Sequence, residues 1–219
     1  MTSSIFITGT NTGVGKTIAS ALILSAAHSA QRQVSYFKPI QIGDESDCDL
    51  VKELTGVSEN FINRPLFSLE LPVSLAQAES YNRCVIDISI IASRWRSLSE
   101  GATIVEGCGG LLVPIGKNFL IRDLVKLLNL RLVIITNSIL GSINHTLLTI
   151  EAALAADIPL LGIIIFGNNN LWLIDALREF STIPILAEIP WLDSLHQHNL
   201  HQISADLLNK KLLAQFFDQ

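Results

Sequence analysis

The chain has 219 residues, 49% of them hydrophobic, and a formal net charge of −5. That size suits one α/β domain over residues 1–219, and an acidic balance without a Lys/Arg cluster argues against a nucleic-acid partner. Mean hydropathy is positive, yet no apolar run reaches the roughly 18 to 20 residues of a membrane span, so no membrane partner is expected.

Ser4 to Thr8 is β-rich and runs into the glycine loop Gly9 to Thr17, GTNTGVGKT. Apolar residues at helical spacing predict a helix from Lys16 to Ala30. Val34 to Phe37 is a second strand, ended by Lys38-Pro39 because proline lacks a ladder donor. Ser46 to Leu54 reads as a short helix stopped by Gly56, residues 57–82 carry no clear pattern, and Ile86 to Leu98 is helical.

Three strand-then-helix units follow. Ala102 to Glu106 leads through a Gly-rich turn to a helix near Ile121 to Leu128. Arg131 to Thr136 leads to Asn144 to Ala155, and Pro159 to Phe166 leads to Leu171 to Phe180. A short strand, Ile185 to Ile189, precedes a terminal helix from about Ser204 to Phe217. Such alternation predicts a doubly wound, mostly parallel sheet flanked by helices, P-loop NTPase-like, with ligands at the carboxyl ends of the strands. Cys48, Cys84 and Cys108 are odd in number and lack metal-ligand spacing, and the start MTSSIFITG has no signal-peptide pattern. A cytoplasmic location is expected.

A strand, a glycine-rich turn and Gly-Lys-Thr opening a helix solve one physical problem. Phosphates need many close donors, glycines let backbone N–H groups converge on them, and the helix N-terminus adds partial positive charge. Lys16 would reach the outer phosphates and the Thr17 hydroxyl would ligate Mg²⁺. Five residues separate Gly9 from Gly15, one more than in the common form of the motif, and the alternative is a chance Gly-rich turn.

Further polar groups sit at predicted strand ends. Lys38 could stabilise charge in phosphoryl transfer, or be a solvated strand-end lysine. Glu106 and Asp47 are candidate Mg²⁺ partners. Asp44, Glu45 and Asp49 compete with Asp47, and Ser46-Asp47 could simply cap a helix. Gly141 to His145 opens a helix whose free N–H groups suit a carboxylate, with an ordinary helix start as the alternative. His145 alone reads as structural, Cys108 reads as a small turn residue, and no Ser/His/Asp or Cys/His nucleophile set stands out.

Together GTNTGVGKT (9–17), FKPIQIG (37–43), SDCDLV (46–51), VEGCGGLLVP (105–114), LGSINHTLLTIEAA (140–153) and EIPWL (188–192) resemble dethiobiotin synthetase. That family closes the ureido ring of biotin from 7,8-diaminononanoate, CO₂ and MgATP. The resemblance implies a carbamate phosphorylated by ATP and then attacked by the second amine, with no covalent enzyme intermediate. It implies catalysis by Lys16 and Lys38, and Mg²⁺ on Thr17, Asp47 and Glu106. Nucleotide would bind Asn11, Thr12, Gly13, Val14, Gly15, Lys16, Thr17, Asn168, Pro190, Trp191 and Leu192. Substrate would bind Thr12, Lys38, Ile42, Gly109 and Gly110, with its carboxylate on Ser142, Ile143 and Asn144 of the neighbouring subunit in a homodimer.

Two positions depart from the family. Ile42 stands where a hydroxyl residue is usual, and Phe166 stands where an asparagine reads adenine, with Asn168 two residues on as its substitute. Two other readings compete: a MinD/ParA-type switch ATPase, and a nucleotide-binding homologue without turnover. Against the switch ATPase, residues 9–14 lack the extra lysine that many such proteins carry.

Overall fold

The computed structural model describes residues 4–69, 86–98, 101–168, 170–192, 194–207 and 210–218. Cys84, the 70–82 part of the unassigned stretch and positions 208–209 of the expected terminal helix lie outside them.

The main sheet has seven strands: β1 (Ile5–Gly9), β2 (Val34–Phe37), β4 (Ile62–Asn63), β6 (Ala102–Gly110), β9 (Arg131–Asn137), β10 (Leu160–Phe166) and β11 (Ile185–Ile189). Their order is β11-β10-β9-β1-β6-β2-β4, and every neighbouring pair is parallel. The chain moves outward from β1 to β2 and β4, returns to β6 beside β1, then crosses to β9, β10 and β11. The reversal therefore falls at β1, whose carboxyl end is where an open parallel sheet holds its ligands.

Alternation along the strands builds two cores. Ile5, Ile7, Tyr36, Ile104, Val133, Ile135 and Ile164 face one way; Phe6, Phe37, Val105, Leu132, Ile134, Ile163 and Ile165 face the other. The first face is covered by α1 (Lys16–Ser29), α2 (Asp47–Thr55), α7 (Gln197–Leu207) and α8 (Lys210–Phe217). The second is covered by α3 (Ile88–Ser97), α4 (Ile121–Leu127), α5 (Ser142–Leu154) and α6 (Leu171–Phe180). Burial on both faces explains why these strands read as continuous apolar runs.

Several boundaries differ from expectation. Gly107 to Gly110, read as a turn, belongs to β6. Ile7 pairs with Glu106 and Gly9 with Gly110, so extra residues bulge from β6 at the glycines. The helix expected from Asn144 starts at Ser142, with Gly141 left-handed at its N-cap. The terminal helix is two described pieces, the first starting at Gln197. Minor strands β3 (Ile40–Ile42) and β5 (Phe67–Leu69) pair in parallel, and β7 (Pro114–Gly116) with β8 (Phe119–Leu120) forms a hairpin.

Candidate active site

β1 delivers the glycine loop to the carboxyl edge of the sheet, and α1 begins at Lys16 with Gly15 as a left-handed N-cap at φ 101°. A Cβ on Gly15 would lie 2.9 Å from two ring carbons of Phe166. Gly15→Ala is thus expected to meet a backbone penalty of about 1–2 kcal/mol and to displace the ring. A Tm fall of about 5 °C with loss of nucleotide binding is the expected result; unchanged melting and affinity would contradict this account.

Behind the loop, side chains from four elements converge. Glu106 of β6 is fully buried and Lys38, directly after β2, is 3% exposed. The Lys38 ammonium lies 2.8 Å from Glu106 Oε1 and 2.7 Å from Asp47 Oδ2, and donates to the Gly107 carbonyl at 3.1 Å. The Thr17 hydroxyl reaches Asp47 Oδ1 at 2.9 Å and Glu106 Oε1 at 3.0 Å. Burial works to lower the Lys38 pKa, but Glu106 and Asp47 outweigh it and hold the ammonium above its ordinary value. Lys16 is 7% exposed and donates to the Asn11 carbonyl at 3.2 Å. Its pKa is lowered, chiefly by burial, with Glu106 opposing.

Two hard carboxylates and a hydroxyl, already gathered around an ammonium, match what Mg²⁺ takes beside nucleotide phosphates. Among the described residues, no three His, Cys, Asp or Glu form a metal cluster, so phosphate oxygens would have to supply part of the coordination. Ser46 caps α2 by accepting from Asp49 N. Capping thus falls to Ser46 and leaves Asp47 facing Thr17. Asp49 instead pairs with Arg64 at 2.5 Å.

Beside the loop opens a cavity of about 380 Å³. Thr10, Asn11 and Thr12 form one wall, Gly109 to Pro114 a second, and His145, Leu148, Thr149 and Ala152 a third. A Cβ on Gly109 would meet Val113 Cγ2 at 2.9 Å and Thr12 Oγ1 at 3.7 Å, so the bare backbone keeps this passage open. The loop and α5 are linked by hydroxyls: Thr10 Oγ1 lies 3.3 Å from Thr136 Oγ1, which lies 2.9 Å from Thr146 Oγ1.

Other predicted residues lie apart. Ser142 is buried and donates to Asn137 Oδ1 at 3.2 Å; neither it, Ile143 nor Asn144 lines the cavity, whereas His145 does. Ile42 packs against the second core. Trp191 is 47% exposed, its ring 6.4 Å from that of Phe166 and tilted by 39°. Asn168 is exposed, while Asn170 is buried, donating to the Gly167 carbonyl at 3.0 Å. Sequence reasoning missed Ser20 and Tyr36, both within hydrogen-bond reach of Glu106. Only Ser20 left a signal, standing three residues after Thr17 and hence on the same face of α1.

A family model described as an AAA domain matches residues 3–199. An ATP-dependent dethiobiotin synthetase from Bacillus velezensis is 33% identical, the alignment covering 91% of each chain. One from Lawsonia intracellularis is 36% identical over 90% of this chain and 93% of its own. A biotin biosynthesis bifunctional protein of Bordetella avium is 38% identical over 95% of this chain, which spans 43% of that longer relative. Among solved structures, the septum site-determining protein MinD from Pyrococcus horikoshii superposes with TM-score 0.55 at 15% identity, covering 97% and 98% of the two chains. Cobyrinic acid a,c-diamide synthase from Mycobacterium smegmatis does so with TM-score 0.53 at 17% identity, covering 93% of each. At those identities the structural likeness speaks for the fold.

Proposed function

The chain belongs to the ATP-dependent dethiobiotin synthetase family, and from that premise we propose that it makes dethiobiotin from 7,8-diaminononanoate, CO₂ and MgATP. It is a ligase of biotin biosynthesis. The observation that carries the reading is the adjacency of two half-sites. A phosphate loop backed by Lys38, Asp47 and Glu106 borders a largely apolar cavity through Thr10 to Thr12.

One amine of the substrate takes up CO₂ as a carbamate and releases a proton. Carbamate oxygen then attacks the γ-phosphorus of ATP, giving a mixed anhydride and ADP. The second amine attacks the carbonyl carbon and expels phosphate, which closes the ring. The protein's share is positioning and charge stabilisation. The cavity holds the aliphatic chain against Leu111, Leu112, Val113 and Leu148. Gly109 and Gly110 let the carbamate approach the loop, and Thr12 and Lys38 receive its oxygens. Lys16 and the N–H groups from Gly13 to Thr17 take the transferring phosphate, with Asn11 and Val14 shaping the turn. Ile42, which packs against the second core, has no hydroxyl to offer the substrate. Thr17, Asp47 and Glu106 would hold Mg²⁺, whose chemistry is to neutralise phosphate charge as it shifts.

The base would lie at the ends of β10 and β11, against Asn168, Pro190, Trp191 and Leu192, with Phe166 filling the strand end. The substrate carboxylate would rest on the start of α5 across a homodimer interface. In support, Ser142, Ile143 and Asn144 do not line their own cavity, and Leu140 beside them is fully exposed. We place the enzyme in the cytoplasm; among the described residues no helix is long and apolar enough to cross a membrane.

The test follows phosphate release from MgATP with and without diaminononanoate and bicarbonate. Release is expected only with both, matched by an equal amount of dethiobiotin in the mass spectrum. Release indifferent to the diamine would instead identify a switch ATPase, and nucleotide binding without release a homologue that does not turn over.

A further inference from the structure

We propose that Tyr36 and Ser20 are positioning residues that turn Glu106 so that it offers one oxygen, Oε1, to the metal of the nucleotide complex. This rests on the assignment of Glu106 as a metal ligand. Glu106 Oε2 is reached from two sides, by Tyr36 Oη at 3.0 Å and by Ser20 Oγ at 2.8 Å, the nearer of two acceptors for that hydroxyl, the Lys16 carbonyl lying at 3.0 Å. The other oxygen, Oε1, faces Thr17 and Lys38.

The arrangement follows from the fold. Tyr36 pairs with Ile104 across β2 and β6, so Glu106, two residues on, shares its face of the sheet at a diagonal position. Thr17 and Ser20 are three apart on α1, which packs on that same face. The two helix hydroxyls therefore bracket the carboxylate, Thr17 at one oxygen and Ser20 at the other. All three of Ser20, Tyr36 and Glu106 are fully buried, where a carboxylate oxygen stripped of donors is costly. Without these donors the Oε2 side loses its hold and the aim of Oε1 rests on Thr17 and Lys38, so it loosens, as happens when the groups behind a metal ligand are removed.

The experiment compares Tyr36→Phe and Ser20→Ala, which keep the ring and the backbone, with Glu106→Gln. Mg²⁺ is titrated calorimetrically into each protein's complex with ADP, and ADP is titrated separately without metal. Each single-hydroxyl variant is expected to bind Mg²⁺ about tenfold more weakly while binding metal-free ADP as before. Either one, if folded, decides the matter. Unchanged Mg²⁺ affinity in a folded Tyr36→Phe or Ser20→Ala protein, with Glu106→Gln weakened, overturns the positioning role. Unchanged affinity in Glu106→Gln would remove the metal assignment on which the role rests. Equal loss of metal-free ADP binding would mean that the hydroxyls merely keep the loop folded, and also overturns it.

Discussion

A Lys16→Ala enzyme is expected to fold normally and to turn over about a thousandfold more slowly. In the proposed mechanism the Lys16 ammonium meets the negative charge of the transferring phosphate, and the loop backbone cannot supply a cation in its place. Its one hydrogen bond among the described residues, to the Asn11 carbonyl, is a small loss. Burial moreover lowers its pKa, so the folded chain binds this proton less readily than the unfolded one. Stability should then rise with pH between the folded and unfolded values, and the alanine variant should lack that slope. Steady-state kcat and thermal melting check both halves. Retention of activity within about tenfold would remove Lys16 from the phosphoryl-transfer step.

Lys38→Met is expected to damage both activity and stability. Turnover should fall by about two to three orders of magnitude, because the proposed mechanism then lacks its cation beside the carbamate. Stability should fall by about 3–5 kcal/mol, the usual cost of stripping one partner from a buried ion pair. Here the partners left behind are Glu106, fully buried, and Asp47. The sign of the pH dependence follows from the raised Lys38 pKa. Stabilisation is complete below the unfolded lysine value of about 10.4 and is lost only as pH climbs beyond it. The deficit of the variant should therefore be flat from about pH 6 to 9. Combining it with Glu106→Gln should recover part of the stability and none of the rate. Equal melting of Lys38→Met and the parent enzyme would mean that the ion pair contributes nothing to the fold.

What was legible in the chain was local. The glycine loop, the helix after it and the apolar strands carry their signals within a dozen residues, and each formed near its expected limits. Asp47 and Glu106 were legible as acids at strand ends or helix starts, though only the fold brings them to Thr17. Tyr36 was hidden because its partner lies 70 residues away, and a tyrosine in a strand reads as core. Gly107 to Gly110 read as a turn because glycine weakens strands; pairing with β1 overrides that preference. The start of α7 was missed because Gln197 to Asn199 is polar, and its apolar contact, Leu200, comes a turn later. His145 reads as structural from the sequence, and its place in the cavity wall comes from the fold.

The register of β1 on β6 carries a consequence for how the enzyme comes into being. Residues 9–17 supply the anion cradle, but Glu106 reaches it only when Ile7 lies beside it, about a hundred residues along the chain. Pairings of such separation form slowly because a long loop must close first. Nascent chain ending before β6 thus holds the loop, Lys38 and Asp47 but no complete seat for a charged nucleotide. On the proposed site, nucleotide affinity would report on the pairing of β1 with β6. By mass action the nucleotide favours that state and draws late-folding chains toward it.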